Sequence, residues 1–129
     1  MNRPRVALIA HDKKKADMLM FVREHYEVFR KCDLFATKTT GELIQDKMKL
    51  EITKMRSGPK GGDLQIGAMV AADGVDFVLF LRDPLTAQPH EPDVSALMRV
   101  CDVHNVSLAT NLATAEALVK EISILQRDT

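Results

Sequence analysis

Val-Ala-Leu-Ile-Ala at residues 6–10 and Val-Asp-Phe-Val-Leu-Phe-Leu at residues 75–81 are apolar along nearly their whole length. Such runs are typical of parallel strands in a sheet that helices cover on both faces. Shorter runs at residues 34–36, 51–55 and 106–109 predict three further strands, and stretches of helical character separate all five. The sequence therefore predicts an α/β fold, a three-layer sandwich around a mainly parallel, doubly wound, five-stranded sheet.

Length and composition favour a single domain over residues 1–129. The chain has 129 residues, of which 46% are hydrophobic, enough for one core without disulfides or metal. Lys and Arg number 18, as do Asp and Glu, so no net charge attracts nucleic acid or an anionic membrane. The sequence shows neither a membrane-spanning run nor the pattern of a signal peptide. We expect a cytoplasmic protein with no nucleic-acid or membrane partner.

The residues that follow the predicted strands are unusually polar. His11 and Asp12 follow the first strand, residues 37–41 the second, residues 57–63 the third and Asp83 the fourth. Ligands of parallel α/β sheets bind outside the carboxyl ends of the strands. We therefore expect the chemistry of this protein at the carboxyl end of the sheet.

One loop at this end has the composition of a phosphate-binding turn. Thr37, Thr39 and Thr40 place hydroxyls and peptide N–H groups at the predicted start of a helix, where the helix dipole favours an anion. The alternative is an ordinary N-cap, which threonine supplies without any ligand. The sequence alone leaves both interpretations open.

Two other segments could complete a phosphate site. Ser57 and Gly58 begin a glycine-containing turn where the backbone can approach a ligand closely. A lysine from the run at residues 13–15 would add charge-assisted hydrogen bonds, although such a run is more often a solvated helix start. Neither loop matches GxxxxGK[ST] or GxGxxG, so the sequence gives no motif support for nucleoside triphosphate hydrolysis or dinucleotide binding.

Carboxylates and a histidine at the same end offer groups for proton transfer. They are Asp12, Asp63, Asp83, Asp93 and His90. Clustered carboxylates commonly have displaced pKa values that suit proton transfer, whereas the alternative for Asp63 and Asp93 is helix N-capping. The residues alone indicate a phosphate pocket with an Asp/His cluster beside it, and proton transfer on a small phosphorylated carbonyl compound would fit them.

The sequence lacks a recognisable metal-binding pattern. His90 and Asp93 have the spacing of half a site, but no further ligands follow at the spacing expected for zinc. Cys32 and Cys101 lie far apart with no CxxC pair, which predicts reduced, structural thiols. We expect no bound metal.

Taken together, the motifs resemble those of methylglyoxal synthase. They are Ile-Ala-His-Asp at residues 9–12, Ala-Thr-Lys-Thr-Thr-Gly at 36–41, Ser-Gly-Pro-Lys-Gly-Gly-Asp at 57–63, Asp-Pro-Leu at 83–85, Pro-His-Glu-Pro-Asp-Val at 89–94 and Ala-Thr-Asn at 109–111. They occur in order and at the spacing of the family, from about residue 5 to about residue 119. The resemblance implies a lyase that converts dihydroxyacetone phosphate to methylglyoxal and inorganic phosphate, without cofactor, as a phosphate-inhibited homohexamer.

The resemblance also implies roles for individual residues. Asp63 is the base that removes a C3 proton to give an enediolate, and His90 polarises the carbonyl and moves protons between oxygens. Asp93 and Asp83 orient or assist these groups, and His11 lines the pocket. The residues that hold the phosphate are Lys15, Thr37, Thr39, Thr40, Ser57 and Gly58.

Three positions depart from the pattern of the family. Lys38 stands where the family usually has Gly, Lys60 where it has an apolar residue, and Leu64 where it has Gln beside the proposed base. If the glycine of the family has a positive φ or lets the backbone approach the ligand closely, Lys38 adds strain or narrows the pocket. The alternative is that Lys38 adds a cation next to the phosphate. The alternative function is a noncatalytic phosphate-ligand sensor of the same fold, and a cyclohydrolase-like domain ranks third.

Overall fold

The computed structural model describes residues 3–127. Its strands are β1 (Arg5–Ala10), β2 (Asp33–Ala36), β3 (Ile52–Lys54), β4 (Phe77–Leu81) and β5 (Ser107–Ala109). They form one sheet in the order β3-β2-β1-β4-β5, in which every neighbouring pair is parallel. The predicted strands are all present within a residue or two of their expected bounds. The fold prediction is confirmed, and the described sheet is parallel throughout rather than mainly parallel.

Helices cover both faces of the sheet. They are α1 (Lys15–Glu24), α2 (Tyr26–Phe29), α3 (Lys38–Met48), α4 (Gly62–Ala71), α5 (Glu91–Val103) and α6 (Leu112–Arg127), with 3₁₀ turns at Asp12–Lys14 and Gly58–Lys60. One face packs against α1, α2, α3 and α6, and the other against α4 and α5. Over residues 3–127 no helix has the length and apolar character needed to cross a bilayer.

The side chains of β1 point alternately to the two faces of the sheet, and this explains why helices pack on both faces. Val6 and Leu8 are buried in the core beneath α1, α3 and α6, whereas Ala7 and Ile9 are buried in the core beneath α4 and α5. Successive side chains of a strand point to opposite faces, so a strand that is apolar at every position serves two cores. The apolar run that predicted the fold therefore forms the centre of both.

Burial of the two cysteines agrees with the structural role predicted for them. Cys32 lies in one core and Cys101 in the other, and both thiols are free. Burial raises the pKa of Cys32 to about 12 and that of Cys101 to about 11. Since the thiolate is the reactive form, both side chains are inert near neutral pH.

The strand order shows where on the sheet a ligand is expected to bind. From β1 the chain adds β2 and β3 on one side, and then crosses to add β4 and β5 on the other. The order reverses between β1 and β4, and ligands of open parallel sheets bind at such a reversal. The loops that follow β1 and β4 begin there, with His11 directly after β1.

Candidate active site

A cavity of about 250 Å³ opens at the carboxyl end of the sheet. The loops that follow β1, β2, β3 and β4 all contribute to its wall, and we call it the carboxyl-end cavity. Pockets for drug-sized ligands measure roughly 300–1,000 Å³, so this one suits a smaller molecule. The predicted site residues that line it are His11, Lys15, Thr37, Thr39, Ser57, Gly58, Asp63 and His90.

Asp63 is the most deeply buried acid of the cavity. It lies in the first turn of α4 with an exposed fraction of 0%, and neither carboxylate oxygen has a hydrogen-bond partner within residues 3–127. Burial raises the pKa of this carboxyl, and the charge of Asp93 adds to the rise while His90 opposes it. The N-terminal end of α4 favours the anion through the helix dipole. Asp63 is therefore a carboxylate whose lone pairs are unused and whose basicity exceeds that of an exposed aspartate.

Two glycines bring the chain into α4 at this point. Gly61 has a φ of 98°, a left-handed conformation that side chains rarely adopt. A Cβ at Gly62 would overlap the carbonyl of Arg56, and the Gly62 N–H donates to the Ser57 carbonyl at 2.9 Å. The Gly-Gly-Asp sequence thus lets the loop fold tightly enough to bring Asp63 under the cavity.

His90 lies opposite Asp63. It is the N-cap residue of α5, its side chain is buried, and its Nε2 is 3.7 Å from Oδ2 of Asp63. This distance exceeds that of a hydrogen bond, but it is within the range of an ion pair when the His90 ring is protonated. A Cβ at Gly58 would lie 2.8 Å from the same Nε2. A side chain at position 58 would therefore displace the His90 ring from this place.

His11 forms the wall between β1 and β4. Its ring stands edge-on to Phe80, with centroids 5.1 Å apart, and edge-on to His90, with centroids 6.0 Å apart. Its Nδ1 accepts a hydrogen bond of 2.8 Å from the peptide N–H of Asp83. Burial lowers the pKa of His11, and the neighbouring charge of His90 lowers it further. His11 is therefore a buried, neutral imidazole.

Lys15 brings a cation to the cavity from the start of α1. Its Nζ donates to the carbonyl of Ala10 at 3.0 Å and to Oδ1 of Asp12 at 2.9 Å. The hydrogen bond and charge of Lys15 lower the pKa of Asp12. The loop after β2 also lines the cavity, where Thr37 is the buried N-cap residue of α3 and Thr39 lies in the first turn. The cavity thus combines an ammonium group with a helix N-terminus, which suits an anion.

Three predicted site residues do not line the cavity as the structure describes it. Thr40 is buried in α3, and its Oγ1 has no hydrogen-bond partner within residues 3–127. The Asp83 carboxylate accepts from the Leu85 N–H at 3.1 Å, and hydrogen bonding to Thr86 lowers its pKa. Asp93 lies in the first turn of α5, where its charge acts on Asp63. The motifs could not distinguish these supporting positions from the cavity wall.

The sequence departures lie outside the cavity wall. Lys38 is the exposed first residue of α3 and is not among the described residues with positive φ, so the strain expected there is absent. Lys60 and Leu64 are exposed and do not line the cavity either. Gln88 also lines the cavity, although no motif identified it; its place between Asp-Pro-Leu and Pro-His-Glu was the available signal.

Comparisons with known proteins agree with this geometry. Residues 17–110 match the family model of the MGS-like domain. The chain is 58% identical over 123 residues to methylglyoxal synthase of Cupriavidus pinatubonensis, which covers 95% of each chain. It is 57% identical over 118 residues to methylglyoxal synthase of Bacillus subtilis, which covers 92% of this chain and 86% of the relative. The crystal structure of methylglyoxal synthase from Elizabethkingia anophelis NUHP1 matches with a TM-score of 0.86 at 44% identity, over 91% of this chain and 77% of that one.

The family model covers the loops after β2, β3 and β4, and the relatives align over about nine-tenths of the chain or more. The resemblance drawn from the motifs is confirmed, because the family model spans more than half of the chain and the relatives align over most of it. On sequence and fold alike, the chain belongs to the methylglyoxal synthase family of MGS-like domains.

Proposed function

We propose that this protein is a carbon–oxygen lyase that converts dihydroxyacetone phosphate to methylglyoxal and inorganic phosphate. The observation that carries the proposal is the Asp63 carboxylate, which is fully buried, lacks a hydrogen-bond partner within residues 3–127 and lies 3.7 Å from His90. A noncatalytic sensor has no need for such a group, since an unpaired buried carboxylate costs stability. A base that must attack a C–H bond needs this arrangement.

In the first step Asp63 takes a proton from C3, the hydroxymethyl carbon of the substrate. The electrons of the broken C–H bond form a C3–C2 double bond, and the C2 oxygen becomes an enediolate oxygen. A carboxylate removes such a proton only if donors stabilise that oxygen. His90 lies beside Asp63 and supplies one donor, and we assign it the transfer of protons between the C2 and C3 oxygens.

In the second step phosphate leaves. The C3 hydroxyl loses its proton and becomes an aldehyde, the double bond moves to C2–C1, and the C1–O bond breaks to release phosphate. The C2 oxygen takes up a proton, and the resulting enol becomes methylglyoxal by moving a proton to C1. All atoms of the substrate are recovered in the two products. The proposed steps call on the side chains of the chain itself and on no cofactor or metal.

We assign the phosphate group to the part of the cavity wall that the loops after β1, β2 and β3 form. Lys15 supplies positive charge, while Thr37 and Thr39 at the start of α3 and Ser57 with Gly58 offer hydroxyl and peptide donors. Thr40 stays in the proposed set because its buried Oγ1 has no hydrogen-bond partner within residues 3–127. We propose that inorganic phosphate occupies the same place and inhibits the enzyme.

Asp83 and Asp93 are proposed to assist from outside the cavity. Asp93 lies near enough to raise the pKa of Asp63 through its charge. Asp83 holds the loop after β4 through the hydrogen bond between its carboxylate and the Leu85 N–H. Neither residue is required to touch the reacting atoms.

The test is an assay of the purified protein with dihydroxyacetone phosphate that follows methylglyoxal and phosphate together, with and without added phosphate. We expect equal release of both products and suppression by phosphate. Asp63→Asn removes the base, and Asp46→Asn, at an exposed position of α3, is the matched control with full turnover. Binding of phosphate in calorimetry without turnover by the folded wild type would instead establish the sensor.

We also propose that the chain acts as a homohexamer in the cytoplasm and forms a single domain over residues 1–129. The support is its membership of the methylglyoxal synthase family together with the composition. Light scattering of the purified protein measures the assembly directly. A stable monomer that still turned over would overturn the hexamer and leave the chemistry in place.

A further inference from the structure

Gln88 lines the carboxyl-end cavity from the loop between β4 and α5, the loop that also carries His90. The proposed reaction gives a part to His90 and none to Gln88. Gln88 is half-buried, and it precedes His90 by two residues in the chain. The loop therefore brings a neutral carboxamide to the same cavity as the pair of Asp63 and His90.

A hydrogen bond within the loop holds the Gln88 side chain in place. Its Nε2 donates to the carbonyl of Thr86 at 3.2 Å. Hydrogen bonding to Thr86 in turn lowers the pKa of Asp83, whose carboxylate also accepts from the Leu85 N–H at 3.1 Å. These contacts connect the end of β4 to the cavity wall. The carboxamide is therefore held before a ligand enters, which reduces the conformational entropy that it loses on binding.

The contact with Thr86 also shows how the carboxamide is turned. A carbonyl only accepts hydrogen bonds, so the atom of Gln88 that meets the Thr86 carbonyl is the nitrogen. This contact uses one of the two N–H donors of the amide. The second N–H and the oxygen Oε1 make no hydrogen bond within residues 3–127. Gln88 therefore offers a ligand both a donor and an acceptor.

The loops of the cavity divide between the phosphate and the carbon skeleton of the substrate. With the phosphate held by the loops after β1, β2 and β3, the loop after β4 is left with the three carbons and their oxygens. His90 polarises the C2 carbonyl, so the C3 hydroxyl is the substrate group that still needs a partner. A hydroxyl donates and accepts, and the free groups of Gln88 can meet both needs.

The neutrality of Gln88 suits a cavity that holds a buried base. Burial raises the pKa of Asp63, and the charge of Asp93 raises it further. A lysine or arginine at position 88 would lower that pKa and weaken the base, whereas an acid would add a second negative charge to the cavity. A carboxamide binds a hydroxyl without either effect.

We propose that Gln88 is a specificity-determining residue whose carboxamide binds the C3 hydroxyl of dihydroxyacetone phosphate. This inference rests on the proposed function and deepens it, because it names the substrate group that the loop after β4 recognises. A site that hydrogen-bonds a substrate hydroxyl discriminates against an analogue without it, since its own polar groups are then left unpaired. The protein therefore prefers dihydroxyacetone phosphate to hydroxyacetone phosphate, in which C3 is a methyl group.

Calorimetry with two ligands and two proteins measures this recognition. The ligands are dihydroxyacetone phosphate and hydroxyacetone phosphate, and both proteins carry Asp63→Asn so that the first ligand is not consumed. With Gln88 present we expect the C3 hydroxyl to strengthen binding about tenfold, and with Gln88→Met less than about threefold, the difference being one neutral hydrogen bond. Inorganic phosphate should bind equally to the two proteins.

Gln45→Met is the matched control. Gln45 is also half-buried, but its Oε1 accepts from Nζ of Lys54 at 3.2 Å and it does not line the carboxyl-end cavity. We expect this variant to keep the full preference for the C3 hydroxyl. Melting curves check that all variants fold. With Asp63 retained, Gln88→Met should raise KM about tenfold and change kcat less than about threefold, because the contact is made equally in the ground and transition states.

The outcomes distinguish this inference from the proposed function. A wild type without turnover contradicts the proposed function, and the calorimetric comparison still shows whether Gln88 recognises the hydroxyl. A wild type with turnover, whose preference between the two ligands survives Gln88→Met, keeps the function and overturns the inference. Weaker binding of inorganic phosphate to Gln88→Met also overturns it, since Gln88 would then act on the phosphate.

Discussion

The two ends of the sheet differ in how far their polar side chains are hydrogen-bonded. At the amino end, Arg5 at the start of β1 forms three hydrogen bonds to Asp76 just before β4, between 2.8 and 3.1 Å. At the carboxyl end, several side-chain atoms are buried without a hydrogen-bond partner within residues 3–127. They are Nε2 of His11, Oγ1 of Thr40, both carboxylate oxygens of Asp63, Nε of Arg82 and Nδ1 of His90.

The difference shows which end serves stability and which serves chemistry. The hydrogen bond with Asp76 raises the pKa of Arg5, and the same bond lowers that of Asp76, so both charged forms are favoured in the folded state. An unsatisfied buried polar group costs about 1–3 kcal/mol, and natural proteins accept such costs mainly at functional sites. The polar groups of the carboxyl end therefore lower the stability of the fold, whereas the Arg5–Asp76 pair at the amino end raises it.

Asp63→Asn should have the largest effect of the variants proposed here, because it should remove nearly all activity and raise stability at the same time. Loss of the general base is expected to lower kcat by about 10²–10⁴-fold. Burial raises the pKa of Asp63, so its contribution to stability is present at low pH and lost as pH rises through the folded-state pKa. The neutral amide avoids that loss, and we expect the variant to be more stable at pH 7 by about 1 kcal/mol, or roughly 4 °C in Tm.

Activity assays and melting curves at pH 7 and pH 4 test this prediction. The gain in Tm should shrink at pH 4, where the wild-type carboxyl approaches its protonated form. A variant that loses activity and also melts lower at pH 7 would show that the Asp63 charge stabilises the fold, contrary to the comparison of the two ends.

Gly58→Ala should damage the carboxyl end by crowding His90. The added Cβ would lie 2.8 Å from Nε2, so the ring must move, and a donor displaced by a fraction of an ångström costs about 10–100-fold in kcat/KM. Gly67→Ala is the matched control, since its Cβ meets nothing closer than 3.8 Å and replaces a helical glycine. We expect the control to keep full activity and to gain about 0.5–1 kcal/mol in stability. Equal activity of both alanine variants would contradict the close packing at Gly58.

Asp76→Asn should lower the stability of the protein through the amino end of the sheet and leave its activity unchanged. The pair is partly exposed, with side-chain exposed fractions of 39% for Arg5 and 31% for Asp76, so we expect a loss of about 1–2 kcal/mol. The folded-state pKa of Asp76 is depressed, so its contribution is present above the ordinary pKa of 3.8 and lost as pH falls through the folded-state value. Turnover at a temperature well below Tm should be unchanged.

Asp33→Asn provides the comparison for this loss. Arg3 and Asp33 also pair at the amino end, at 3.0 Å, but both side chains are more than half exposed. Melting curves should show a change of no more than about 0.5 kcal/mol for this variant. A larger effect for Asp33 than for Asp76 would mean that exposure does not govern the strength of these pairs.

The composition of the carboxyl end could be predicted from the sequence because parallel strands all end at the same end of the sheet. The runs at β1 and β4 fix a parallel sheet, and the residues after each strand must then lie at one end, which places His11, Asp63 and His90 together. What the sequence could not give is the direction of a side chain within its own loop. Asp83 directly follows β4, where a catalytic residue is expected. Its carboxylate nevertheless accepts a hydrogen bond from the Leu85 N–H, and its peptide N–H donates to Nδ1 of His11. That choice depends on local hydrogen bonds whose energies differ by about 1 kcal/mol.

Lys38→Gly should have the smallest effect, although the sequence suggested otherwise. Lys38 begins α3 without positive φ and does not line the carboxyl-end cavity, so neither strain nor crowding is relieved by glycine. Glycine adds flexibility to the first turn, while loss of a cation at the helix N-terminus is favourable, and these opposing terms of about 0.5 kcal/mol nearly cancel. We expect Tm to hold and kcat/KM to change less than about fivefold, the effect of one exposed charge. A gain of tenfold or more in turnover would show that the lysine does obstruct the phosphate loop, and that the carboxyl end is shaped by residues beyond the cavity wall.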